Sequence, residues 1–172
     1  MTPQRLRSAF ERLLEGIVIL LMVALSAEVT LGIVFRTLGR SLVWYDEVAA
    51  ILLAWLTFYG AALAALKRAH IGFPGLVNSL QPMWRVPAVL FAEACTAAFF
   101  ILLGWVGFSI LEVLATDHLV SLPSVSVAWT QSVIPIGSAL FVIAQALNFP
   151  ATLAAARGRG SVTTSDLAEK LH

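Results

Sequence analysis

Three features of this sequence predict an all-α integral membrane protein: four transmembrane helices preceded by an N-terminal amphipathic interfacial helix. First, 59% of its residues are hydrophobic and 12% are charged, with a mean hydropathy of +0.89. Soluble domains hold about 45–50% apolar and about 25% charged residues. Second, the apolar residues gather into four runs, each long enough at about 1.5 Å per residue to cross a hydrocarbon core of about 30 Å. Third, charges, Trp and Pro collect between the runs, where ionised groups and amphipathic rings meet headgroups and water. The net charge of +1 is carried by Lys and Arg scattered between apolar runs rather than set in a stripe, which argues against nucleic acid as a partner and leaves membrane lipids as the first one. A lone Cys95 excludes an internal disulfide, and its apolar surroundings read as those of a small buried hydrophobe.

The front of the chain, Thr2 to Glu15, carries Arg5, Arg7 and Arg12, with Leu6, Phe10, Leu13 and Leu14 at helical spacing. This is the pattern of a helix lying in the interface. Gly16 to Phe35 follows, twenty residues with the single charge Glu28. A cleaved leader is the competing reading, since Ala24-Leu25-Ser26 offers small residues, but the apolar run continues well past them.

A polar and aromatic corner, Phe35-Arg36 through Arg40 to Trp44-Tyr45-Asp46-Glu47, separates this run from the second, Val48 to Leu66, which holds nineteen uncharged residues. Asp46 and Glu47 before that run and Lys67 and Arg68 after it match the helix dipole. Ala50, Ala54, Thr57, Ala61 and Ala65 draw a strip of small side chains down one face and Trp44, Val48, Ile51 and Trp55 a bulkier one. Either strip suits packing within the chain or against a second protein.

Residues 69–82 are rich in breakers and form a connector. Pro87 suits the first turn of the third run, about Val86 to Leu111, in which Glu93 is the lone charge. After Asp117 and His118 comes the fourth run, about Val127 to Phe149. Trp129 anchors its entry, and Pro135 inside it predicts a kink. In sum, residues 1–156 form one membrane domain with spans at about 16–38, 46–67, 86–111 and 127–149, and 157–172 a polar cytoplasmic tail.

Orientation follows from the positive charges. Arg5, Arg7, Arg12, Lys67, Arg68, Arg85, Arg157, Arg159 and Lys170 fall on one side of a four-span chain, and only Arg36 and Arg40 on the other. Cytoplasmic loops retain Lys and Arg, so both termini belong in the cytoplasm and the Trp44–Glu47 corner outside.

Chemistry is sparse. His70 and His118 are lone connector histidines, no metal-ligand spacing or phosphate loop is present, and no Ser/His/acid set can share one membrane depth. The expectation is a protein that is no enzyme and holds no metal or cofactor. Glu28 is the exception: a charge near mid-membrane is costly by about 2.5–3.5 kcal/mol on insertion scales. It reads as a structural group, protonated or paired in a helix interface, or else as an ion-handling one. The chain also lacks the internal repeats and paired broken helices common in complete transporters.

Phe35-Arg36, Trp44-Tyr45-Asp46-Glu47 opening a span, Phe58-Tyr59-Gly60-Ala61-Ala62, His70-Ile71-Gly72-Phe73, and Leu122-Pro123 followed by Trp129 and Ile134-Pro135-Ile136-Gly137 together resemble the small membrane subunit of tripartite ATP-independent periplasmic (TRAP) transporters, DctQ-like, over about Phe35 to Leu147. Asp46 stands where other acidic or small residues are frequent in that family. The resemblance implies a subunit of a sodium-coupled uptake system in the bacterial inner membrane. In such systems a periplasmic solute-binding protein delivers an organic acid to a large membrane subunit of about a dozen spans, against which the small subunit packs as a scaffold. Candidates for subunit contact or structural support are Arg36, Arg40, Trp44, Asp46, Glu47, Trp55, Gly60, His70, Trp129 and Pro135, with Glu28 as the intramembrane charge. For Glu47 the expected partner is Arg36 or Arg40 across the corner, or a residue of the large subunit; the local alternative is support of its own helix start. Two rival readings of the whole are a self-sufficient homo-oligomeric channel or carrier, with Glu28 lining its pore, and a membrane anchor for an unrelated complex.

Overall fold

The structure is a computed structural model that describes residues 3–67 and 81–157. His70, Arg68 and the rest of the second connector, and the tail from residue 158 onward, lie outside the described residues. The chain forms helices α1 (Pro3–Thr37), α2 (Tyr45–Leu66), α3 (Pro82–Leu114), α4 (Val127–Gln131) and α5 (Val133–Ala156). Four stretches, Arg7–Thr37, Tyr45–Leu66, Met83–Leu114 and Val127–Ala156, are long and apolar enough to cross a membrane.

The helices differ from the sequence expectations mainly at their ends. The basic, amphipathic front is not a separate helix but continuous with the first span: α1 runs unbroken through all 35 residues, about 52 Å at the usual rise. Its stop is chemical. Arg40 N–H donates to Phe35 C=O and Gly39 N–H to Arg36 C=O, with Gly39 at φ +71°, the left-handed closure of a Schellman motif that glycine adopts without a Cβ clash. Pro82 opens α3, where its missing N–H costs nothing, and the helix outruns the expected 86–111 at both ends. The fourth span is interrupted at Ser132, three residues ahead of Pro135, in the turn where a proline removes a helix hydrogen bond and crowds the carbonyl four residues back. Pro135 thereby falls in the first turn of α5, where no N–H of its own is needed, and α5 continues past Pro150 to Ala156.

Packing follows the order α1, α2, α5, α3. Each helix makes extensive contact with the next in that order, and α4 sits against α3; among the described residues no other helix pair makes more than marginal contact. The spans therefore stand as an open row with α1 and α3 at its edges. Lipid tails are as apolar as leucine, so apolar area alone cannot hold such a row, and close backbone approach must. Every seam accordingly contains a glycine. A Cβ at Gly32 would run into the Tyr45 ring between α1 and α2, one at Gly137 would lie 2.6 Å from Phe58 Cβ between α2 and α5, and one at Gly107 would lie 2.6 Å from Ile134 Cγ2 between α3 and α5.

A small core closes the row at the end remote from the corner. Leu14, Ala62, Ala65, Leu66, Phe141 and Ala144 are buried there, and the Phe100 ring stacks on Phe141 with centroids 3.6 Å apart. The lower part of the small-residue strip on α2, Ala61 and Ala65, joins this core, while Ala50 and Thr57 higher up are exposed. Cys95 is not the buried hydrophobe its surroundings indicated; it faces outward from α3. In a row of membrane helices an apolar neighbourhood in sequence marks lipid as readily as core.

Candidate functional site: the corner and its tie to the α3–α4 loop

The α1–α2 corner is joined to a loop far away in sequence. Between α3 and α4 the chain folds on itself: Val125 N–H donates to Leu122 C=O across a turn holding Pro123, Leu119 N–H to Val125 C=O, and Val127 N–H to Asp117 C=O. Pro at the second position of such a turn comes with its φ already set. Ser126 then caps α4, its Oγ accepting from Ala128 N–H at 3.2 Å. The loop so shaped presents Ser121 to Glu47, whose Oε2 accepts from Ser121 N–H at 3.0 Å and from the Ser121 hydroxyl.

Glu47 therefore does not take an arginine. Among the described residues neither Arg36 nor Arg40 forms an ion pair, and both are exposed. Glu47, in the first turn of α2, is taken by Ser121 of the neighbouring loop, while Arg36 and Arg40 flank the exposed Schellman closure at Gly39. Asp46, one position earlier, is exposed. Trp44 is the residue preceding the helix; its carbonyl accepts from Val48 N–H at 3.1 Å and its side chain is half-buried.

A second tie lies farther along α2. Trp55 Nε1 donates to Thr130 C=O at 2.9 Å, and its ring packs against Trp129 at 5.4 Å and Tyr59 at 6.2 Å. Thr130 is buried and uses its own hydroxyl on Val127 C=O, while Trp129 is 63% exposed. Glu47 and Trp55 thus hold α2 to α4 and its loop at two heights. Pro135 lies at the α3–α5 seam, its Cδ within 3.3 Å of the point where a Cβ on Gly107 would stand. Gly60 opens onto free space on α2. Apolar side chains surround the corner on the outside: Val43 and Val120 are among the most exposed of the molecule.

The opposite end carries a polar cluster that the reading of charged residues passed over. Asn148, 5% exposed, donates from Nδ2 to Ala65 C=O at 2.7 Å and Leu66 C=O at 2.8 Å. Arg7 reaches the same Leu66 carbonyl at 3.3 Å. These carbonyls are among the last of α2, which have no partner within the helix. Lys67, just beyond them, pairs with Glu15 and lies 4.0 Å from Glu11; its hydrogen bond with Glu15 holds its ammonium above the usual lysine range. On the third seam Gln145 Nε2 donates to Glu93 C=O and to its carboxylate, so Glu93 on α3 has a partner on α5. Gln145 and Asn148 are three positions apart in an uncharged run, and polar amides inside a span are themselves a helix-packing signal.

Among the described residues Glu28 has no such partner. It is half-buried on α1, with Oε1 shielded and without a hydrogen bond.

The profile of the family described as Tripartite ATP-independent periplasmic transporters, DctQ component, matches residues 25–154. No match was found among curated proteins. The matched residues take in the corner, its tie to the α3–α4 loop, the second and third spans entire and all but the last two residues of the fourth. The chain, a multi-pass membrane protein and not an enzyme, belongs to the DctQ family, the small membrane component of TRAP transporters.

Proposed function

We propose that the protein is the scaffold subunit of a sodium-coupled TRAP transporter of the bacterial inner membrane, packed against the large membrane subunit for uptake of an organic acid delivered by a periplasmic solute-binding protein. Its termini are cytoplasmic and its corner periplasmic, in keeping with the distribution of Lys and Arg. Sodium coupling and the organic-acid cargo rest on the resemblance to the family. Packing against the large subunit rests above all on the open row of helices: among the described residues α1 and α3 each have one neighbouring span, and both turn bulky apolar side chains outward. A row one helix deep, cross-tied at both ends, is a stiff panel that widens whatever it lies against. The corner ties, Glu47 to Ser121 and Trp55 to Thr130, would keep that panel from splaying while a partner domain moves. Affinity purification of the tagged chain from membranes in which the large subunit is co-expressed should bring down both in fixed ratio. Receptor-dependent uptake in proteoliposomes should need both. A chain that purifies alone as a homo-oligomer and conducts ions by itself would overturn this reading in favour of a channel.

A further inference from the structure

The geometry points to Glu28 as the group through which the first span grips the large membrane subunit, accepting a hydrogen bond from a donor side chain on one of that subunit's transmembrane helices. The inference rests on the proposed packing of the two subunits and goes beyond it in naming the contact.

Position comes first. Glu28 lies about 14 Å along α1 from Thr37 and about 18 Å from Gly16, at the usual helical rise, which is near the middle of the span. Leu21 and Leu14, one and two heptads earlier, are buried on the face that meets α2, and Gly32, one turn later, carries the Tyr45 ring. Glu28 is thus in the stripe that forms the α1–α2 seam. Its Oε1 is shielded and has no hydrogen-bond partner, whereas Oε2, also unbonded, is not shielded and so reaches the surface of the seam.

Among the described residues no side chain donates to it. Thr30, the nearest hydroxyl after Glu28, gives its proton to Ser26 C=O at 2.7 Å. Arg36, the first basic residue along the helix, is about 12 Å farther on and exposed. The amide nitrogens of Gln145 and Asn148 are committed across other seams, to Glu93 and to the end of α2, although their oxygens, like Glu28 Oε1, are buried without a donor. An acceptor facing hydrocarbon with no donor is among the least favourable arrangements a span can hold, and such residues face the interior of an assembly. Among the described residues α1 is the edge of the row and α2 its one substantial neighbour, so the interior that Glu28 calls for is one that another chain supplies. The occupant that satisfies both the geometry and the chemistry is a helix laid along the α1–α2 seam with a donor side chain at mid-depth. A lipid tail provides no donor.

The test compares Glu28→Leu and Glu28→Gln with the unaltered chain, each tagged and co-expressed with the large subunit. Recovery of the large subunit, receptor-dependent uptake and thermal melting of the isolated small subunit are measured. Glu28→Leu should recover the large subunit at least several-fold less well, with uptake falling in parallel. Glu28→Gln, which keeps the acceptor oxygen, should recover most of it. Melting of isolated Glu28→Leu should equal or exceed that of the unaltered chain, because no internal hydrogen bond is lost. Full recovery and uptake with Glu28→Leu overturns the inference, and so does a lowered melting temperature of that variant alone, which would give Glu28 an internal role. Intact assembly with lost uptake in Glu28→Gln also overturns it, in favour of ion handling. If the unaltered chain itself fails to recover the large subunit, the scaffold reading falls and this one with it.

Discussion

At the scale of single residues, the side chains that matter most are those that finish a helix they do not belong to. Asn148 on α5 serves two terminal carbonyls of α2 with one amide, in a setting where water is not at hand to replace it. Asn148→Leu keeps the branched shape and removes both bonds, so the purified subunit should lose about 1–2 kcal/mol and melt lower in detergent. A similar logic at the other end sets Glu47 apart from its neighbour. Glu47→Ala frees the Ser121 loop, while Asp46→Ala removes an exposed group that holds nothing. Uptake and large-subunit recovery should fall with Glu47→Ala and stay near normal with Asp46→Ala, and protease nicking of the 115–126 loop should rise only in the first. Equal behaviour of the two variants would return Glu47 to the role of a helix start.

At the scale of helices, association depends on how closely backbones approach. The α2–α5 seam passes over Gly137, where a side chain would meet Phe58 at its Cβ, an atom that cannot swing aside. Gly137→Leu should therefore force the two helices apart and cost about 1–3 kcal/mol or more. Gly60→Leu on α2, where the space is open, should leave melting of the isolated subunit unchanged. Thermal melting of the two variants side by side separates seam glycine from surface glycine. The same dependence explains why Pro135 and Pro150 are tolerated. One sits in a first turn whose N–H groups are free in any helix, and the other near the end of a helix already secured by Asn148.

At the scale of the molecule, the two cross-ties and the alternation of the spans place the corner and the α3–α4 loop on one side, with Arg7, Lys67 and Asn148 on the other. The excess of Lys and Arg on the Arg7 side makes that side cytoplasmic in the proposed orientation. A cysteine placed at Ser41, in a chain whose Cys95 has been replaced, should react with a membrane-impermeant thiol reagent applied to spheroplasts. Reaction only after lysis would reverse the orientation.

Four spans, the corner and the family were legible in the sequence because a bilayer imposes local demands. Each segment must satisfy its own backbone and carry its own hydropathy, so Gly16–Phe35 and Val48–Leu66 announce themselves without reference to any neighbour. Glu28 was legible as an exception for the same reason. What the tertiary structure alone decided is which faces meet. In lipid, an apolar face turned to a helix and one turned to a hydrocarbon tail look alike in sequence, so no pattern marked Cys95 as outward or α1 and α3 as the edges of a row. Glu47 chose Ser121 over the nearer arginines in sequence because the turn at Pro123 and the stop at Gly39 aim the backbone, and those directions exist only once both loops are closed.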